Sequence, residues 1–276
     1  MRMHSLGWAA VPTLLLAAIA GRSSSQELRT NKDDSGAVRL REMARLAQSI
    51  TIKRSEAPRE PVGLAPDAIF RYDDRPRLIE DATLWVFGRA GRPTAALKVE
   101  IYPNMGIEGL VSLSPGKIAA EWGDLQWDST APGIELRPVT DAKDPAGSPR
   151  ERLTQMKAIA ARFSGFELEP PNGRLTMRML PKPILRYDDP DSGLQDGAIF
   201  SLAYGVNPEV LILIESRKAA GASAPTWQYG IGRLGGAEVS VSLDGQEVWK
   251  QRGAGPVPQS RPTYMNRDLK RIAGAG

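Results

Sequence analysis

The chain repeats itself, and this limits what it can fold into more than any local propensity does. Residues 69–100 read IFRYDDRPRLIEDATLWVFGRAGRPTAALKVE, and residues 184–215 read ILRYDDPDSGLQDGAIFSLAYGVNPEVLILIE. The segments align without a gap at a constant offset of 115. Arg71, Tyr72, Asp73 and Asp74 recur as Arg186, Tyr187, Asp188 and Asp189, while Asp81 recurs as Asp196 and Pro93 as Pro208. Upstream, RLREMARLAQSI (39–50) matches RLTQMKAIAARF (152–163) at an offset of 113. Downstream, LSPGKIAAEWGDLQW (113–127) matches LGGAEVSVSLDGQEVW (234–249), with a one-residue slip where a hairpin turn is expected. A duplication of this extent predicts two tandem units of about 100 residues each, the size of a small domain.

Each unit opens with an amphipathic helix. Leu40, Met43, Leu46, Ala47 and Ile50 make one apolar stripe at helical spacing, and Leu153, Met156, Ile159, Ala160 and Phe163 make its counterpart. Ser148-Pro149-Arg150-Glu151 is a capping box with proline at the first helical position. Alternating runs follow. Arg174 to Leu180 has one polar face, Thr83 to Phe87 and Ala198 to Leu202 are rich in branched and aromatic residues, and Asp244-Gly245 splits a hairpin. Leu97, Val99 and Ile101 alternate with Lys98 and Glu100, whereas Val210 to Ile214 is apolar throughout. The pattern predicts one wet face for the first of these strands and two covered faces for the second. The fold class expected is α+β: two repeats, each a helix followed by a mostly antiparallel sheet of about five or six strands. The expected boundaries are a signal peptide at 1–20, a flexible leader at 21–37, repeat units at 38–138 and 148–252, a linker at 139–147, and a disordered tail at 253–276.

The N-terminus carries Arg2 and His4, an apolar run from Leu6 to Ala20 interrupted by Pro12, and a small-x-small pattern at Ala18-Ile19-Ala20. This is the pattern of a secretory signal peptide; an uncleaved anchor is the alternative. After cleavage no membrane span is expected. An abundance of Arg over Lys, with much Ala, Gly and Pro, fits a bacterial periplasmic or cell-surface protein. The formal charge of +4 is spread among interspersed acids and bases. A nucleic-acid binder concentrates its basic residues, so no nucleic-acid partner is expected.

The chain has no cysteine, and its only histidine is His4. A mature chain would therefore lack the residues of Ser-His-Asp triads, Cys-His dyads and nitrogen- or sulfur-ligated zinc. No phosphate-binding glycine loop is present either, and no cofactor is expected. Catalysis would have to come from Asp, Glu, Lys, Arg, Tyr or Ser.

The RYDD element is the candidate ligand or turn site, through Arg71, Tyr72, Asp73 and Asp74 and their counterparts Arg186, Tyr187, Asp188 and Asp189. The favoured reading is structural: the tyrosine buries its ring, the arginine pairs with a carboxylate, and one aspartate caps the turn. Asp188, Asp189, Asp191, Ser192 and Asp196 also crowd one stretch. Asp189, Asp191 and Asp196 are therefore the candidates for calcium, although the spacing departs from the EF-hand loop. In the first copy Arg75-Pro76-Arg77 would repel a metal. A third reading pairs Asp74 with Asp189 as glycosidase carboxylates across a shared cleft. Trp85, Trp122, Trp127, Trp227 and Trp249 would then line a sugar groove, or else fill the core.

The RYDD…DGAIF…NPEVLILIE block with the LDGQEVW hairpin resembles a group of uncharacterised exported bacterial proteins with an internal duplication. The resemblance covers most of the mature chain. It implies an export address and a duplicated architecture, and it carries over no catalytic residue. The function expected is a non-enzymatic binding or structural module of the periplasm or envelope, acting on a ligand or envelope partner. The alternative is a glycan-directed hydrolase using the paired Asp residues of the RYDD turns.

Overall fold

The computed structural model describes residues 23–55, 59–88, 90–169, 173–219, 221–253 and 259–269. The expected signal peptide lies outside the described residues. The first copy runs α1 (Ser23–Gln48), β1 (Ile50–Arg54), β2 (Pro61–Val62), β3 (Phe70–Asp74), β4 (Ile79–Phe87), β5 (Ala95–Ile101), β6 (Gly106–Ser112), β7 (Ile118–Trp122) and β8 (Leu125–Asp128). A short β9 (Arg137–Pro138) leads into the second copy. This runs α2 (Pro149–Ala160), β10 (Phe163–Glu169), β11 (Gly173–Met179), β12 (Leu185–Asp189), β13 (Leu194–Tyr204), β14 (Asn207–Arg217), β15 (Thr226–Arg233), β16 (Glu238–Leu243) and β17 (Gln246–Gln251). β18 (Gln259–Ser260) and β19 (Tyr264–Leu269) follow. Element order is thus the same in both copies. A short 3-10 turn joins β3 to β4 and β12 to β13.

Both helices form where the apolar stripe demands. Met43, Leu46 and Ala47 of α1, with Ile50 at the start of β1, are buried against Trp85, Phe87, Leu97 and Trp122 of their own unit. Met156, Ile159, Ala160 and Phe163 are buried against Phe200, Ile212, Ile214 and Trp227. Each of the larger side chains among them contributes roughly 2 kcal/mol on leaving water. Ser148 caps α2: the Glu151 backbone N–H donates to Ser148 Oγ at 3.3 Å, and the Ser148 hydroxyl donates to Glu151 Oε2 at 2.6 Å. α1 begins at Ser23, well before the stripe, so the expected flexible leader is helical from that point. The stretch has no proline to stop a helix, and a polar face gives no periodicity to reveal one.

All strand pairings among the described residues are antiparallel. The first copy has a four-stranded sheet, β2-β1-β7-β8, and a meander β3-β4-β5-β6 extended by β19 and β18. In the second copy the same two groups fuse into a nine-stranded sheet, because β11 pairs with β13. The fusing pair Met179↔Leu202 has its counterpart in a single bridge, Leu64↔Phe87. The backbone bonds beyond it recur too, Leu180 N–H to Ser201 O and Ala65 N–H to Val86 O, both at 2.9 Å. Among the described residues each copy therefore has eight strands rather than five or six. The extra ones include β2, which is too short to show a pattern.

The tail expected to be disordered contributes β19, which pairs with β6 along its length. Tyr264, Met265 and Asn266 are buried in succession, so there was no alternation to read. β9 pairs with β15, the counterpart of β6. The segment after each unit thus completes the sheet of the other.

The two meanders pack face to face. Leu84, Val86, Ala96 and Val111 form one core with Tyr187, Ile199, Leu211 and Leu213. Alternate side chains of each strand therefore face a helix or the other copy. The layers run helix, sheet, sheet, helix. This overturns the expectation of a wet face on β5: Lys98 is 4% and Glu100 6% exposed. Their face meets the other unit, not solvent. Among the described residues no helix is long and apolar enough to cross a membrane.

The 3-10 turn ends on a left-handed residue in both copies, Gly193 (φ 78°) and Leu78 (φ 61°). Leu78 is also largely exposed, so it gains little from burial. Leu78→Gly copies the second unit into the first and removes a left-handed penalty of about 1 kcal/mol, offset in part by glycine's greater chain entropy. The expected result is a small rise in stability in a urea melt, with unchanged m-value; a loss of stability would mean that Leu78 makes contacts its exposure does not suggest.

Candidate functional site

The retained RYDD residues serve two structural jobs. The first ties helix to sheet. Arg71 forms a two-pronged bond to Asp81, Nε to Oδ1 at 2.8 Å and Nη2 to Oδ2 at 2.6 Å. Arg39 of α1 reaches the same carboxylate at 3.2 Å. In the second copy Arg186 and Arg152 of α2 reach Asp196 at 2.7 and 2.9 Å. Two arginines on one buried carboxylate offset its desolvation. The expected Arg–carboxylate pair is present, and its partner is the retained Asp81 or Asp196.

The second job joins the copies. Tyr72 and Tyr187 are buried, and their hydroxyls lie 2.8 Å from Glu100 and Glu215, the residues that close the repeated blocks. Burial first, then the adjacent carboxylate, raises both phenol pKa values well above the usual range. Across the seam each tyrosine meets the hairpin end of the other unit. The Tyr72 hydroxyl is 2.7 Å from the Asn207 side-chain oxygen at the start of β14. A hydroxyl has one proton, so it serves Glu100 or Asn207 at any instant. On the other side Arg92, before β5, donates to Glu215 through Nε at 2.6 Å and Nη2 at 2.7 Å. Arg92 and Asn207 are repeat equivalents. Despite burial, which acts the other way, Arg92 and Tyr187 hold the Glu215 carboxyl below its usual range.

The expected aspartate cap is absent. Neither Asp74 nor Asp189 caps its 3-10 turn with its side chain. Each lies beside the opposing hairpin instead. A Cβ on Gly91 would sit 3.3 Å from Asp189 Oδ2, and one on Gly205 would sit 3.9 Å from Asp74 Oδ2. Both glycines have positive φ, which lets the hairpin turn tightly there. Asp74 Oδ2 is buried without a hydrogen-bond partner, and burial raises its pKa. Asp73 is exposed, 3.5 Å from Arg75, and Asp188 is exposed.

The seam opens into a polar cleft of about 320 Å³ lined by Arg77, Lys98, Glu100, Glu167, Asn207 and Glu209 among others. Arg77 comes from the first copy's turn and enters the second. It donates to Glu209 Oε1 at 2.8 Å, pairs with Glu167, and lies 4.5 Å over the Tyr204 ring. Lys98 sits 3.1 Å from Glu100 and 3.9 Å from Glu209. Burial disfavours the lysine's charge, but those two carboxylates hold its pKa above the ordinary value. Glu209 is raised as well, up to about 7, through burial and the like charges of Glu167 and Glu100, against the pull of Lys98 and Arg77. The nearer Glu100 takes most of the lysine's charge, which explains why a cation and a carboxylate so close both shift upward.

The sequence names Arg77 only as a charge that repels a metal and Lys98 and Glu100 only as a polar strand face, and marks none of the cleft residues as a site. The available signal was that both repeated blocks end on a glutamate, Glu100 and Glu215. The calcium candidates are not brought together: Asp196 is held by Arg152 and Arg186, and Asp191 is exposed. Among the described residues no group of three His, Cys, Asp or Glu is arranged to hold a metal. Of the tryptophans, Trp85, Trp122, Trp127 and Trp227 are core, and Trp249 is half-buried at its edge. No protein-family model, curated protein or solved structure matches the chain.

The raised pKa of Glu209 makes stability depend on pH. Between about 4.5, the unfolded value, and about 7 the native state keeps a proton that the unfolded chain releases. Stability from this group is therefore present at low pH and lost as pH rises through that window. Glu209→Gln removes the effect. Relative to the variant, the wild-type protein should lose on the order of 1–3 kcal/mol between pH 5 and 8 in denaturant melts; parallel pH profiles would contradict the assignment.

Proposed function

We propose that the chain is an exported, non-enzymatic protein that acts as a binding or structural module of the periplasm or cell envelope. The observation that carries this reading is the reciprocal use of the RYDD element. Its tyrosines, arginines and retained carboxylates are engaged in holding helix to sheet and copy to copy. A pair of glycosidase carboxylates must flank one bond about 5–10 Å apart. Asp74 and Asp189 instead rest on two different hairpins, beside Gly205 and Gly91. The export step rests on the N-terminal pattern of charge, apolar run and small residues.

The hydrolase reading keeps one specific observation in its favour. Glu209 has a pKa of about 7 in a cleft that also holds Glu167 and Glu100, as a general acid would need. Yet Arg77 occupies its carboxylate, and ion-pair networks shift pKa values without catalysis.

Asp74→Asn, Asp189→Asn and Glu209→Gln separate the readings. The module reading predicts no turnover of a glycan panel by the wild-type protein, retention of an envelope ligand or partner on the immobilised native chain, and altered melting in the variants. Turnover abolished by any of the three, with the fold intact by circular dichroism, would establish the enzyme instead.

A further inference from the structure

The pseudo-twofold relation gives the acidic cleft a counterpart on the other side of the seam. This second cleft is open and larger, about 420 Å³. Part of its lining occupies positions equivalent to those of the first cleft, with the chemistry changed. Glu167 is replaced by Arg54, Glu209 by Thr94, Asn207 by Arg92, Tyr102 by Arg217, and Arg77 by Ser192. The chain segments 235–237 and 114–116 also correspond. Where the first cleft holds three carboxylates and Lys98, with the Arg77 guanidinium inserted between Glu167 and Glu209, the second has mostly cationic walls and a short serine in place of the insert.

The cations of the second cleft are not all neutralised by the protein. Arg92 and Arg217 share Glu215, which is fully buried behind them. Arg54, whose Nη2 is 3.4 Å from Thr94 Oγ1, and the exposed Lys117 have no ion pair among the described residues. Asp189 is the one carboxylate in the lining, packed against Gly91. The first cleft shows what this geometry accepts: a planar charged group at the end of a polypeptide side chain, opposite in sign to the two groups it meets at these positions.

We infer that the cleft formed by Arg54, Arg92, Lys117, Ser192 and Arg217 binds a carboxylate, supplied either by an acidic side chain of a partner polypeptide or by a free organic acid. The inference deepens the binding-module reading and rests on it. It also makes a specific demand of Ser192. A glutamate there would do for this cleft what Arg77 does for the other, filling it from within.

The test uses the full mature chain and isothermal titration at low ionic strength, where exposed charge interactions are least screened. The probes are citrate, a pentaglutamate peptide and inorganic sulfate. Citrate or pentaglutamate should bind and sulfate should bind more weakly; preference for the peptide identifies a polypeptide as the source, and preference for citrate a free acid. Ser192→Glu should abolish binding and raise the melting temperature. Arg54→Glu with Lys117→Glu should weaken binding about tenfold or more, while Arg41→Glu, an exposed charge reversal on α1, should leave it unchanged. No binding of either carboxylate, binding that survives Ser192→Glu, equal binding of sulfate, or equal weakening by Arg41→Glu would overturn the assignment. A native partner retained equally by wild type and Ser192→Glu would sink this site but leave the module reading standing; glycan turnover would sink the module reading whatever the cleft binds.

Discussion

Charge buried between two sheets has to be answered from within the protein, and here each copy answers for the other. Glu215 is fully buried and is met by Arg92 of the opposite unit. Glu209 and Glu167, also buried, are met by Arg77 of the opposite unit. Leaving one such group unpaired in a low-dielectric seam would cost several kcal/mol. Glu215 is also reached by Tyr187 and Arg217 of its own unit, but Arg92 and Arg77 come only from across the seam, so the docked arrangement is the one in which these carboxylates are fully met. The apolar cluster of Leu84, Val86, Leu211 and Leu213 supplies the bulk of the contact, and the polar ends fix its register.

The arrangement resembles an isologous dimer interface written into one chain. In a true dimer, equivalent positions must carry the same residue. Within one chain they are free to diverge, and they have. The tyrosine–glutamate pair is kept on both sides, while the groups around it differ: asparagine opposite arginine, glutamate opposite threonine, arginine opposite serine. One side of the seam has become self-complementary and the other cationic. The exchanged edge strands, β9 on β15 and β19 on β6, bind the copies further and cover edges that would otherwise be open to another chain.

Much of the fold was legible because periodicity survives in sequence. The helical stripes form up to Ala47 and Ala160, with Ile50 and Phe163 buried in the same cores as the first residues of the strands that follow; the Ser148 cap and the Asp244-Gly245 turn also form. The hairpin alignment was also sound: Trp127 pairs with Ala120 and Trp249 with Val241, equivalent places in the two sheets. The burial of Lys98 and Glu100 was not legible. Alternation reports that one face is polar, but not whether that face meets water or a second polar surface. β19 was hidden because three consecutive residues are buried, which removes the period that marks a strand. The candidate site was half legible: the repeat pointed to RYDD, but the residues across the seam belong to the other copy and are far away in sequence.

Differential scanning calorimetry of the native chain and of Tyr187→Phe tests the reciprocal seam most directly. Removing the hydroxyl leaves Glu215 short of a donor while sparing the ring's packing. If the copies stabilise each other as described, both proteins unfold in a single transition, and the variant's moves down as a whole. Two transitions, with only that of the second unit displaced, would show that the copies stand independently and would contradict the account.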